Sequence, residues 1–395
     1  MFNPEIINAD GSCVSIGNAY GCAVPLYISE LYRSKKQQYL VICRDPATAN
    51  HLLDDLKFLL PGEQILSFSD YETLPYDSFS PQQDLISNRM EALFTLMHTP
   101  CCIVIAAVGT LLQRTAPRSY IEKHVFVLNR GQEISMTEIT STLTRNGYLR
   151  VSQVYGQGEF AVRGSLIDLF PSGMSSPYRI DFFDDEIESI KIFDPESQRT
   201  GEETGQIRLL PAREFPIQKT DIELFRQNYR ENFGASLDPA SIYQQVSSGH
   251  IPAGIEYYLP FFYQETSCVL DYLSPDARII GIHQIYEQAE SFCTYVKQRY
   301  ETGSGENSDD RPKLKPELLY FSPDNFFHRM KNFRQVKISE PQSGHGLNFS
   351  ISRPEDLSIG SQSPKMSKLR KWLDLNPQLR ILFSAYSAGR VDTVC

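Results

Sequence analysis

The run "CCIVIAAV", Cys101–Val108, contains no charged residue and no apolar/polar alternation. A strand with one wet face alternates, so an unbroken apolar strand is buried on both faces, as in a parallel sheet sandwiched by helices. Working back from it, "QILSF" (64–68) and "QYLVICR" (38–44) are also strand-like. Between them, residues 47–60 place Leu52, Leu53, Leu56, Leu59 and Leu60 on one helical face, and residues 82–97 read helical. Strand and helix in alternation predict a βαβ-type α/β domain.

Ahead of these lies "SIGNAYGCAVPLYISELY", 15–32, a glycine-containing loop entering a helix, where a nucleotide phosphate could be cradled. A working phosphate loop reads G-x-x-x-x-G-K-[ST], because backbone N–H groups approach the phosphates, lysine reaches their oxygens and the hydroxyl holds Mg²⁺. Here Gly17 and Gly21 are four apart, and Cys22 and Ala23 follow where lysine and hydroxyl should stand. The loop reads as a degenerate phosphate loop that binds no cofactor, a tight strand-to-helix turn using glycine's freedom.

After about Arg118 the pattern changes. "HVFVLNRGQEI" reads as strand and turn, and "SMTEITSTLTRNGY" as a helix capped by Ser135 with Glu138 and stopped at Gly147. "GEFAVRGSLIDLF", "YRIDFF" and "EIESIKIF" read as antiparallel strands, giving a small α+β domain over 119–213. "RIDFFDDEIESI" imitates a metal-holding acidic strand end, but it alternates and is better taken as an acidic hairpin turn. From 214 onward, "DPASIYQQVSSG" and "QIYEQAESFCTYVKQRY" are helix-like and "ARIIGIH" strand-like. The polar stretches 301–313, "SEPQSGHG" and "SIGSQSPK" read as loops, followed by a helix at 366–375 and a strand at "LRILFSA". One helix and one strand cannot bury a core, so a further domain is expected to be incomplete here.

The chain has 395 residues and net charge −10, which disfavours whole-surface binding to nucleic acid. Its eight cysteines form no C-x-x-C and its seven histidines no metal-ligand spacing, so neither disulfide framework nor metal site is expected. No signal peptide and no run long enough for a membrane span are evident, giving the expectation of a cytoplasmic protein. Arg163 breaks an apolar run, and Phe183 falls on the same strand face as Arg179 and Asp181. An aromatic beside arginines is the composition of an interface hot spot. The same residues also read as solvated arginines and a core phenylalanine.

Four segments carry a family resemblance: "YETLPYDSFSPQQDLISNRMEAL" (71–93), "GEFAVRGSLIDLFP" (158–171), "YRIDFFDDEIESIKIFDPESQRT" (178–200) and "IPAGIEYYLPFF" (251–262). In order and along essentially the whole chain, they resemble the N-terminal, UvrB-like part of the bacterial transcription-repair coupling factors (Mfd). The resemblance implies a discontinuous domain 1 (1a, 1–118; 1b, 214–340) interrupted by domain 2 (119–213), then a linker and incomplete domain 3 (341–395). It implies UvrA as the partner of domain 2, contacted by Arg163, Arg179 and Phe183, with Arg199 a weaker candidate. UvrB's DNA-clamping hairpin has no room in "SFSPQQDLIS".

The same resemblance places RNA polymerase binding, an ATP- and Mg-dependent motor on double-stranded DNA, and a C-terminal domain that masks domain 2, in segments beyond these 395 residues. The expectation is therefore a non-catalytic module that recruits UvrA. The alternatives are a nucleotide-dependent DNA enzyme with an atypical phosphate loop, and DNA binding by a basic patch such as "RSKKQQ", Arg33–Gln38.

Overall fold

A computed structural model describes residues 12–302, 311–339, 347–349, 351 and 367–380. By contacts the chain divides into Met1–Ser350 and Ile351–Cys395. In the second unit the helix Ser367–Leu375 matches its expected place. The expected strand at "LRILFSA" beyond its first two residues, and most of the polar stretches 301–313, 339–346 and 358–365, lie outside the described residues.

The first unit opens with β1 (Cys13–Gly17), α1 (Ala23–Ser34), β2 (Gln38–Cys43), α2 (Pro46–Leu59), β3 (Ile65–Ser67), α3 (Gln83–His98) and β4 (Cys102–Ala107). Every residue of β2 and β4 is buried, as the unbroken apolar runs require. α2 begins on Asp45, whose carboxylate accepts from Thr48 N–H at 2.7 Å, and Pro46 sits at its first turn, where a missing N–H is harmless.

A separate module follows: β5 (Phe126–Asn129), α4 (Met136–Arg145), β6 (Leu149–Arg150), β7 (Glu159–Arg163), β8 (Leu166–Phe170), β9 (Tyr178–Phe183), β10 (Glu186–Phe193), β11 (Thr200–Thr204) and β12 (Gln206–Leu209). The chain then returns with the helices Lys219–Phe233 and Ile285–Thr302 and with β13 (Arg278–Ile282), β14 (Arg334–Ile338) and β15 (Leu347–Asn348).

Seven strands form one sheet in the order β15-β1-β14-β13-β2-β4-β3, each pairing parallel. Its strands come from both sides of the module. One face carries α1 and α2 over Tyr39, Val41, Ile103, Ile105 and Ile280. The other carries α3 and the returning segments over Leu40, Ile42, Val104 and Ile279. The alternation of these names along β2 and β4 is the period of two that a strand imposes.

β6 to β11 form a second sheet, a meander in sequence order that is antiparallel except for the short β6–β7 pair. β5 and β12 pair separately, and α4 packs with them under the sheet's inner face, around Phe160, Ile167, Leu169, Ile180 and Phe182. α4 is capped by Ser135, whose hydroxyl accepts from Glu138 N–H at 3.2 Å, and Gly147 follows it in the left-handed conformation.

α3 is the strip on which the module sits. Gln83 donates to Ala212 O (2.7 Å), Ser87 meets Ser172 (3.1 Å) and Glu91 accepts both Nη2 bonds of Arg208 (2.8 and 2.9 Å). These residues are four apart and so share one helical face. Two residues from Ser87, and so on the opposite side of α3, Arg89 is fully buried, with its Nε 2.9 Å from Glu214 Oε1 and its Nη1 donating to the Ser69 carbonyl at 3.0 Å. Phe68 and Tyr71 cover the guanidinium on its faces, and Tyr71 donates its hydroxyl proton to Glu214. A buried ion pair is tolerated only when hydrogen bonds satisfy both ions, which this arrangement approaches.

Candidate functional site

The outer face of the six-stranded sheet collects the residues singled out in the sequence. Register places Ala161, Asp168, Arg179, Lys191 and Glu203 in one row across β7 to β11. The next row holds Arg163, Leu166, Asp181 and Ser189. Arg163 ends β7 at the two-residue turn Gly164–Ser165, and Phe183 ends β9 at the two-residue turn Asp184–Asp185. β7 and β9 run the same way, so both tips lie at one end of the sheet. Strand spacings put the Cα atoms of Arg163, Arg179 and Phe183 roughly 10–15 Å apart. The segment around Val151–Val154 packs on Ala161 and Phe193, while the tip residues 163–165 and 183–186 are exposed.

Phe183 is 69% exposed, so the reading of a core phenylalanine falls. Its hairpin is nonetheless held, because Ile134 N–H donates to Asp185 O at 2.7 Å and Phe182 N–H to Ser165 O at 3.0 Å. Asp184 has φ of +53°, tolerable for an aspartate at a tight hairpin turn, which settles the acidic stretch as a turn. Arg163 is exposed and donates to Ser152 O at 3.1 Å.

Arg179 departs from the expectation of a solvated arginine. Its side chain is 18% exposed, and its Nε and Nη2 donate to the two oxygens of Asp168 at 2.6 and 2.8 Å. Nη1 donates to Gln198 O at 3.3 Å, and the guanidinium lies over the Phe193 ring, 5.1 Å from its centroid. The hydrogen bonds to Asp168 push the guanidinium pKa further above its ordinary range. Arg199 is exposed and follows Gln198, the residue whose carbonyl accepts from Arg179. Sequence reading passed over Asp168. Its signal was a lone carboxylate in the apolar run "SLIDLF", but only the cross-strand register gives it a partner.

The loop after β1 fares differently. Gly21 is left-handed at φ of +54°, and Gly17 has no room for a Cβ because the Asn348 side chain packs against it. At the N-terminus of α1 the Ala23 N–H goes to Tyr20 O at 3.1 Å, and Pro25 has no N–H. Cys22 is exposed and caps nothing, and Ala23 is buried. The basic patch at Arg33–Gln38 is largely neutralised, with Arg33 on Glu30 at 2.7 Å and Lys36 on Glu63 at 2.6 Å. Among the described residues no group of acidic, histidine or cysteine side chains could hold a metal ion, and no helix is long and apolar enough to cross a membrane.

Comparison with known proteins bears on the module first. The family described as UvrB interaction domain matches residues 126–215, which span β5 to β12 and the Glu214 anchor. Over 96% of its length the chain is 37% identical to the transcription-repair-coupling factor of Escherichia coli, of which it covers 33%. The chain is thus similar, along nearly all of its own length, to a transcription-repair-coupling factor. It is also 36% identical over its full length to the factor of Haemophilus influenzae, covering 34% of that protein, and 28% identical over 90% of its length to that of Myxococcus xanthus, covering 32%. It thus spans about a third of the length of these transcription-repair-coupling factors. Within the family match lie Arg163, Asp168, Arg179, Phe183 and Arg199, all on the outer face or the turn beside it.

Proposed function

We propose that this chain is the UvrA-recruiting part of a transcription-repair-coupling factor and performs no catalysis itself. It would bring UvrA to stalled RNA polymerase in transcription-coupled nucleotide excision repair. In this reading residues 119–213 carry the docking surface, 1–118 and 214–340 form its scaffold, and 341–395 are a linker and part of a further domain. RNA polymerase, double-stranded DNA and the ATP- and Mg-dependent motor would be engaged by other parts of the longer proteins, and this segment would need no cofactor. The observation that carries the reading is Phe183, a large aromatic left 69% exposed on a hairpin held at its tip, with Arg163 at the same sheet end. An exposed aromatic flanked by arginines is what an interface buries at its centre.

Calorimetric titration of UvrA into the 395-residue chain tests it. Binding is expected, with Phe183→Ala weakening it by about 2 kcal/mol or more, the loss that defines a hot spot. Its unfolding midpoint should stay unchanged, because an exposed ring contributes little to the core. No binding by the parent, or equal binding by Phe183→Ala and Arg163→Ala, would refute the assignment.

A further inference from the structure

We propose that Asp168 is a positioning residue of this surface, fixing Arg179 and through it the turn that carries Arg199. The inference rests on the UvrA reading above and adds a residue and a mode of action to it. Asp168 is 1% exposed and stands between Ile167 and Leu169, a costly place for a carboxylate without a partner. Both its oxygens are taken by Arg179, at 2.6 and 2.8 Å, from the adjacent strand in register. An apolar pair of similar volume often stabilises a fold as well as a covered ion pair, so stability alone does not account for this one. What the pair supplies is orientation: a two-bonded fork holds the guanidinium plane fixed.

The fixed guanidinium then holds a neighbour. Gln198, left-handed at φ of +60°, accepts from Arg179 Nη1, and its turn is closed by Asp194 N–H to Arg199 O (2.9 Å), Gln198 N–H to Asp194 O (2.8 Å) and Ser197 N–H to Asp194 Oδ1 (2.6 Å). One buried carboxylate therefore fixes the Arg179 side chain and, through Gln198, the turn that carries Arg199, before any partner arrives, and freedom already lost in the free chain is not lost again on binding. Of the five N–H groups on Arg179, three are engaged, leaving one on each terminal nitrogen for an oxygen acceptor on the partner. Because Asp168 already balances its charge, Arg179 would recognise that acceptor by direction more than by attraction at a distance.

The test is calorimetry with UvrA on the parent, Asp168→Asn, Asp168→Ala, Arg179→Ala, Asp168→Ala/Arg179→Ala and a distant control, Lys57→Ala. It is joined by ¹⁵N NMR of the arginine Nε–H groups. Asp168→Asn should bind about tenfold more weakly and lose the slowly exchanging Arg179 Nε–H signal, while the double variant binds no more weakly than Arg179→Ala. A merely structural role would add to the loss in the double variant. Asp168→Asn binding within twofold of the parent, or a double variant showing the product of the two single losses, overturns the proposal. If the Asp168 variants fail to fold, Arg179→Lys decides: it should bind as poorly as Arg179→Ala, and parent-like affinity would show that charge without orientation suffices. A parent that does not bind UvrA removes the functional reading and this one with it. Binding weakened by Arg179→Ala but untouched by Asp168→Asn removes this one alone.

Discussion

Glu256 shows how one side chain couples the fold to pH. It lies in the first turn of the 3-10 helix Ile255–Phe262, where Ser80 donates to its Oε2 at 2.8 Å, and the same hydroxyl accepts from Gly254 N–H at 3.0 Å. Burial pushes its carboxyl up to about 7, with Glu214 adding to the rise and Arg213 opposing it. A raised carboxyl means the folded chain holds a proton that the unfolded chain releases near its ordinary pKa. The stabilisation is therefore complete below about pH 4.5 and is lost as pH rises through 7. Glu256→Gln keeps a neutral side chain at every pH. Relative to the parent it should gain about 2 kcal/mol of stability between pH 5 and pH 8, a value trimmed for the carboxylate's partial contact with water. Urea unfolding at the two pH values measures it, and a gap between variant and parent that does not change with pH would discard the idea.

Among elements, the loop between β1 and α1 illustrates what spacing can and cannot foretell. The missing lysine and hydroxyl were legible at Cys22 and Ala23, yet two further obstacles were not. Asn348 reaches Gly17 from a strand more than 300 residues away, and Ala23 N–H is already spent on Tyr20. With neither a lysine nor a hydroxyl after Gly21 to meet a phosphate and its metal, a fluorescent ATP analogue should show no saturable binding up to about 1 mM. Saturable binding that Gly21→Ala abolishes would contradict this. The strands β2, β3 and β4 and the helices α2 and α3 were legible because burial leaves an unbroken apolar run or a clear helical stripe. The helix Lys219–Phe233 went unread: its buried stripe is only Phe225 and Tyr229, with Phe233 beside them, set among polar residues. β14 was also missed, since "RQVKI" buries only Val336 and Ile338. At the surface, Phe183's face followed from alternation, whereas the Asp168–Arg179 pair needed the register of two hairpin-linked strands.

At the scale of the molecule, charge sets which large partners can approach. With net charge −10, long-range steering favours cationic surfaces and opposes a polyanion. A local basic patch could still overcome that, and Arg33–Gln38 is one such run in the sequence. There Arg33 is drawn to Glu30 and to the Leu59 carbonyl, while Lys36 is drawn to Glu63 and lies over the Tyr32 ring, 4.1 Å from its centroid. Exposed pairs of this kind are weak, but each places a carboxylate beside the cation that a DNA phosphate would have to displace. Non-specific affinity grows with the number of phosphates neutralised, so a patch with so few uncommitted cations gives little. Fluorescence anisotropy with a 30-base-pair duplex should accordingly show no saturation at about 10 μM chain in 150 mM salt. Glu30→Gln with Glu63→Gln, which frees both cations, should raise DNA affinity and steepen its fall with salt. Saturable binding by the parent, with a log–log salt slope steeper than about −3, would mean that a basic face elsewhere on the chain had been overlooked.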